Sequence, residues 1–303
     1  MPFVDADTLA RALPMTAAID ALEAAFGAEW LPEAPMRTHV ETRAGTLLLM
    51  PAFGERGVGV KLVTLTPSNP GRGIPFIHAV YALFEADGQS PVALLDGAAL
   101  TALRTAAVSG LATRHLARAE ASRLAIFGAG VQARSHLRAM LAVRPIADVV
   151  VVSRTRERAE ALVKEAGVDG RVGAPDDVGD RDLVCTCTTS ATPVFDGSLL
   201  APRTHVNAVG AYRPDLRELD TQTIERARVV VETRDAAMEE AGDLLIPLKE
   251  GAIGEDHLIA DLSEVVRGVT VRRSDQDITV FKSVGVAFED LVVARAAVDR
   301  LSQ

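Results

Sequence analysis

The spacing of apolar positions changes twice along the chain. Met15, Ile19, Leu22 and Phe26 recur every three to four residues, the period of one helix face. Short apolar runs follow at 46–50, 59–65, 79–84 and 92–95, separated by Pro51, by the stretch Pro67-Ser-Asn-Pro-Gly71 and by Asp87-Gly88. That pattern predicts a meander of β-strands. Asp96 is placed to cap a helix running to about Leu116, with Leu100, Leu103, Ala107 and Leu111 as its apolar stripe and Arg104 at the edge of that stripe. After Arg118 the pattern becomes strand then helix: strands at 123–127, 149–152, 182–186, 205–209 and 228–232, helices at 131–141 and 155–165. Such alternation predicts a parallel sheet covered on both faces. A last strand at 278–281 precedes a helix with Leu291, Ala294 and Val298 on one face, which is expected to return to the first domain.

Composition narrows the classes. The 303 residues suggest two domains at roughly 150 residues each. A hydrophobic share of 48% and a charged share of 24% are those of a globular chain. The net charge of −9 argues against a nucleic-acid or anionic-membrane binder. The longest stretch free of charged residues is 183–195, short of the roughly 20 residues a membrane helix needs. The first 14 residues have no basic region followed by an apolar core, so no secretory signal is expected. Cys185 and Cys187 alternate along one strand and read as small core residues of a cytoplasmic protein. The histidines show no metal-ligand spacing, and no catalytic metal is expected.

Gly128-Ala129-Gly130-Val131-Gln132-Ala133 follows a strand and opens a helix, as a dinucleotide fingerprint requires. Gly128 allows the tight turn, Gly130 lets backbone approach a pyrophosphate, and Ala133 lets helix and strand pack. The second strand ends not in the Asp or Glu that holds an NAD ribose but in Ser153-Arg154-Thr155. Arg154 is suited to a 2′-phosphate, so NADPH is expected, with NADH as the alternative. Thr188 follows a strand of the parallel sheet, where the ligand crevice lies.

Several stretches together resemble the ornithine cyclodeaminase/mu-crystallin family. They include Met36-Arg37, Gly59-Val-Lys61, Leu100-Thr-Ala-Leu-Arg104, the glycine turn, Asn207-Ala-Val-Gly210, Pro214-Asp-Leu-Arg-Glu-Leu219 and Phe281-Lys-Ser-Val-Gly285 with Glu289-Asp290. The second half is most similar to the mu-crystallin branch, in which the Ser-Arg-Thr turn accompanies NADPH. The resemblance implies an α/β fold in which a Rossmann-type parallel-sheet domain, residues 118–281, is inserted in an α/β domain for substrate binding and dimerisation, residues 1–117 completed by 282–303. It also implies a homodimer acting on a small imino or amino acid.

Carried over residue by residue, the resemblance puts Arg37, Lys61 and Arg104 around a substrate carboxylate, and Ser283 and Gly285 near the nicotinamide. A guanidinium binds a carboxylate bidentately, and a lysine desolvated in an apolar strand is suited to proton transfer. For Arg104 the alternative is a structural ion pair, and for Lys61 an edge-strand lysine reaching solvent. The chain departs from the cyclodeaminases at three positions. Their catalytic Asp is replaced by Tyr212, a Glu by Leu48, and a Ser or Thr by Phe76. With Phe76 and Leu48 apolar, and His78 nearby as a candidate acid, the pocket is expected to take a less charged substrate than ornithine. The leading expectation is an NADPH-dependent reductase of a cyclic ketimine or α-imino acid. A cyclodeaminase releasing ammonia with NAD, and a crystallin-like NADPH-binding protein without turnover, are the alternatives.

Overall fold

In the computed structural model, which describes residues 1–302, the chain divides into two units: 1–104 with 286–303, and 105–285. The first division falls inside a helix, 13 residues before the expected end of the first segment at 117, and the chain returns to the first unit at 286 rather than 282.

The first unit begins with β1 (Phe3–Val4), α1 (Ala6–Ala12) and α2 (Met15–Gly27). Ala18, Ile19, Leu22 and Phe26 are the buried side of α2. Then come β2 (Thr38–Glu41), β3 (Thr46–Gly54), β4 (Gly57–Leu65), β5 (Ile77–Phe84) and β6 (Pro91–Asp96). They form an antiparallel meander, with β1 added parallel to β6, in the order β1-β6-β5-β4-β3-β2. Burial alternates along each central strand, as one covered face demands. On β4, Gly57, Gly59, Lys61 and Val63 are buried while Val58, Val60 and Leu62 are only partly so. Asp96 caps the next helix, α3 (Gly97–Leu116), by accepting from the Ala98 and Ala99 amides at 3.0 and 2.9 Å. The predicted one-sided stripe of α3 is not what folds: Leu103 is partly exposed, and 104–113 is buried on every side.

The second unit alternates β7 (Arg123–Phe127), α4 (Val131–Val143), β8 (Asp148–Val152), α5 (Arg156–Ala166), β9 (Asp169–Val172), β10 (Leu183–Thr186), β11 (His205–Ala208), α6 (Thr221–Arg226), β12 (Ala227–Val231), α7 (Arg234–Glu240), α8 (Gly242–Glu250), β13 (Leu258–Asp261), α9 (Leu262–Val266) and β14 (Ile278–Lys282). Its eight strands are all parallel, in the order β13-β12-β14-β11-β10-β7-β8-β9. The chain runs outward from β7 to β9 and then returns to lay β10 beside β7. This reversal is the switch point at which open parallel sheets bind ligands, outside the carboxyl ends of the strands. Arg144 finishes one end of the unit. Its guanidinium donates to the carbonyls of Thr113, Arg114 and Ala117 at the close of α3, satisfying acceptors a helix terminus leaves open.

The last helix, α10 (Ala287–Leu301), belongs to the first unit and packs on α2, β3 and β4. Phe288 meets Phe26 edge to face at 5.1 Å, and Leu291, Ala294 and Val298 are buried.

Candidate functional site

At the switch point of the second unit, β7 ends at Phe127 and the chain turns through Gly128. Gly128 has φ +106°, and a Cβ there would lie 2.6 Å from the Cys187 carbonyl oxygen. Glycine is obligatory on both counts. Gly130 is the N-cap of α4 and faces open space, with no side chain capping the helix and no acid in its first turn. Val131 is 64% exposed, while Ala133 is fully buried against the sheet. A helix start with no side-chain cap and a Cβ-sized space beside it suits a pyrophosphate. At the end of β8, the Ser153 hydroxyl accepts from the Thr155 amide at 3.2 Å and Thr155 N-caps α5. Arg156 is held by Glu160 at 2.8 Å. Arg154 is exposed and has no hydrogen-bond or ion-pair partner among the described residues, so its charge is available to a ligand phosphate.

Two strand ends are tied by carboxylates that sequence reasoning missed. Glu218, fully buried, accepts from Thr186 Oγ1 (2.8 Å), the Thr188 amide and Oγ1 (both 2.7 Å) and the Gly210 amide (2.6 Å). Burial pushes its carboxyl above the usual range, and the Lys282 charge opposes that. Asp243 accepts from the amides of Glu218 and Leu219, both at 2.8 Å, and pairs with Lys282 at 2.8 Å. Lys282 also donates to the Ala211 carbonyl, next to the half-buried Tyr212. Glu232 does the same work for the other segment, accepting from Ser283 Oγ (2.6 Å) and the amides of Val284 (3.0 Å) and Gly285 (2.8 Å). Gly285 sits at φ +80°. The hydroxyl hydrogens of Thr188 and Ser283 are thus given to buried carboxylates. Both side chains shape the strand ends, and their hydroxyl oxygens keep acceptor lone pairs. Glu232 directly follows an apolar strand of the parallel sheet, and that signal could have found it.

The first unit carries the basic cluster. Lys61, 1% exposed, lies opposite Met50 on β3 and Tyr81 on β5. Its Nζ is 2.9 and 2.7 Å from the two carboxylate oxygens of Asp290 on α10. Arg104 reaches Glu289 through Nη1 at 3.0 Å and Asp290 through Nε at 3.4 Å. Burial lowers the Lys61 pKa to about 8; the Asp290 charge opposes this, while those of Arg104 and Arg37 add to it. Lys61 and Arg104 therefore share Asp290, and the Arg37 charge is felt at Lys61. Of the two readings open for Arg104, its ion pairs with α10 are present. For Lys61 the solvent-reaching alternative is excluded by burial. Burial first, then Asp290, pushes the Tyr81 phenol well up, so it stays neutral. Its hydroxyl fills the place a Cβ at Gly59 would take, 1.9 Å away.

Leu48 is buried two residues from Met50, on the face that carries Lys61. His78 is not on that face. It is exposed and pairs with Thr64, on the opposite side of the sheet from Lys61 and Tyr81. The expectation that His78 lines the same pocket is corrected by strand parity. Phe76 is partly buried just before β5, and its carbonyl accepts from the Thr66 amide at 3.0 Å.

Cys185 and Cys187 are both free thiols, and burial pushes Cys185 up to about 12. Among the described residues no three His, Cys, Asp or Glu side chains are grouped to hold a metal, and no helix is long and apolar enough to cross a membrane.

Comparison with known proteins agrees with this geometry. The chain is 39% identical over 267 residues to a Δ1-pyrroline-2-carboxylate reductase of Bacillus cereus, covering 84% of this chain and 81% of the relative. It is 38% identical over 274 residues to the ketimine reductase mu-crystallin of Rattus norvegicus, covering 88% and 85%. The solved Δ1-pyrroline-2-carboxylate reductase of Thermococcus litoralis, in complex with NADH and L-proline, superposes with a TM-score of 0.93 at 34% identity, covering 100% of this chain and 98% of that one. The family profile itself matches residues 4–303, and the chain belongs to the ornithine cyclodeaminase/mu-crystallin family.

Proposed function

We propose that the protein is a nicotinamide-dependent reductase that converts a small cyclic ketimine or α-imino acid, such as Δ1-pyrroline-2-carboxylate or Δ1-piperideine-2-carboxylate, to the L-amino acid. The observation that carries this reading is the buried pairing of Lys61 and Arg104 with Asp290 and Glu289, with the Arg37 charge felt at Lys61, so that basic groups gather where the resemblance puts a substrate carboxylate. A guanidinium binds such a carboxylate bidentately. Leu48 beside Lys61 supplies apolar surface and no second charge, which favours an imine with a hydrocarbon ring over a diamino acid.

Gly128 to Gln132 would hold the pyrophosphate of the dinucleotide, and Ser153, Arg154 and Thr155 the 2′-phosphate of NADPH. When bound, the nicotinamide supplies the hydride. The residues of this chain do the rest: Arg104 and Arg37 hold the carboxylate, and Lys61 holds the proton that the imine nitrogen needs. With a pKa near 8, Lys61 is mostly charged at neutral pH yet gives up its proton more readily than a free lysine. NADPH is the preferred form on the strength of Arg154, although the Thermococcus relative was solved with NADH.

The outer face of the first sheet supports a homodimer. Leu47, Leu49, Pro51, Val60, Leu62 and Val80 are apolar and only partly buried there, and an apolar face of that kind seeks a partner. Free thiols and net acidity favour the cytoplasm as its location.

The test is nicotinamide oxidation, followed by absorbance, with both cyclic imines and with pyruvate plus ammonia or methylamine. NADPH consumed with the cyclic imines is the expected result. No consumption, with ammonia released from ornithine, would establish a cyclodeaminase. NADPH binding without any turnover would establish a crystallin-like binding protein.

A further inference from the structure

Asp290 belongs to a stretch that carries the family resemblance but is given no role there, yet it stands at the centre of the buried cluster. Both its oxygens face Lys61 Nζ, at 2.9 and 2.7 Å, and one also meets Arg104 Nε at 3.4 Å. It is fully buried, in the first turn of a helix that is itself fixed by Phe26, β3 and β4. We propose that Asp290 is a positioning residue for the reaction: its two-point contact fixes the Lys61 ammonium and keeps it protonated beside Arg104 and Arg37. The proposal rests on the reductase reading for the reaction, but the contact itself is tested without it.

The groups around Lys61 can be named from every side. Asp290 comes from α10, Arg104 from α3, Arg37 from the segment before β2, and the neutral Tyr81 from β5. Glu289 reaches the cluster through Arg104. Of these, Asp290 is the anion in contact with the lysine. Without it, burial and two like charges act on Lys61 together and favour the neutral amine. A neutral Lys61 has lost the proton that the imine nitrogen requires.

The chain has only four lysines, Lys61, Lys164, Lys249 and Lys282, so a titration of 13Cε-labelled lysine follows Lys61 directly, its signal assigned by Lys61→Met. In Asp290→Asn the Lys61 midpoint is expected to fall by about 1–3 pH units. The alkaline limb of kcat/KM should move the same way, because the ionisation of the imine is common to both enzymes. Arg104→Gln, which removes a neighbouring cation, should move the midpoint upward. Asp290→Glu keeps the charge but lengthens the arm. It should leave the midpoint in place and lower kcat by about 10- to 100-fold through misplacement. It is read in place of Asp290→Asn should that variant not fold. A Lys61 midpoint unchanged in Asp290→Asn overturns the proposal, as does a shifted midpoint with an unmoved pH–rate limb, or Asp290→Glu with wild-type kcat. If the wild-type protein reduces no imine, the reductase reading fails and takes the role in the reaction with it, while the titration still decides the pairing.

Discussion

Each unit buries a cluster of charges, and the two are built differently. In the second unit, Lys282, Asp243 and Glu218 are answered within the fold: Glu218 by four donors, Asp243 by two amides and the lysine, Lys282 by Asp243 and a carbonyl. Most of those partners are backbone groups or hydroxyls of the same strand ends. In the first unit the partners are side chains facing side chains, from β4, α3 and α10. A cluster tied to backbone groups holds strand ends in place. A cluster of charged side chains in the proposed substrate site can also meet an anion, and the same chemical groups serve both ends.

That contrast is exposed to direct tests. Arg104→Ala should lower kcat/KM for every carboxylate substrate by about 10³-fold, since a buried charge partner is worth 3–5 kcal/mol, while NADPH affinity measured by fluorescence stays within twofold. Equal kcat/KM in wild type and variant would remove the first cluster from binding. Glu218→Gln should act the other way. The amide turns N–H groups toward donors, so unfolding free energy drops by about 3 kcal/mol, while the pH–rate profile of the folded fraction stays put. A moved profile would mean that the second cluster takes part in the chemistry.

Acid and alkali should separate the units. His136 and His205 are buried in the second unit and held neutral, with pKa values lowered to about 4 and about 3, chiefly by burial. Between pH 6.5 and those values the unfolded chain takes up protons that the folded one refuses. Stability therefore falls with falling pH, by about 2 kcal/mol per histidine between pH 7 and 5 in denaturant titrations. Lys61 in the first unit titrates on the alkaline side instead, so loss of activity above about pH 8 should come with no loss of fold. The smallest expected effect lies at the surface. Arg154→Ser should cut the preference for NADPH over NADH by about tenfold, the worth of one phosphate contact. An unchanged ratio would assign the 2′-phosphate to other groups.

Much of this was legible from residue order, and for physical reasons. The glycine turn, the uncapped helix after it and the meander are local features, written in spacing and turn residues. Lys61 and Arg104 stood out because a charge on an apolar strand or stripe needs an explanation. Their acids did not, since Asp290 lies 229 positions from Lys61 and Glu289 lies 185 from Arg104. Only the return of α10 makes them neighbours. His78 was misplaced because its face depends on the register of β5 against β4, and the irregular stretch between those strands hides the register. The hydroxyls of Thr188 and Ser283 pointed to a ligand crevice, but which way each turned was decided by Glu218 and Glu232, from loops and strands elsewhere in the unit. Short elements such as β2, β13 and α6 carry little pattern of their own and form because longer neighbours give them a surface.

The strand order has a consequence for the birth of the molecule. β14, the last strand made, lies inside the parallel sheet between β11 and β12, and the residues just after it bring in α10 with Glu289 and Asp290. A ribosome paused before residue 278 therefore carries one sheet with a gap in its middle and another with a bare face, before Glu289 and Asp290 exist to meet Arg104 and Lys61. Neither half can mature ahead of the other, although domains made first usually fold first. Synthesis of some thirteen residues, 278–290, closes the gap in one sheet and supplies the acids of the other.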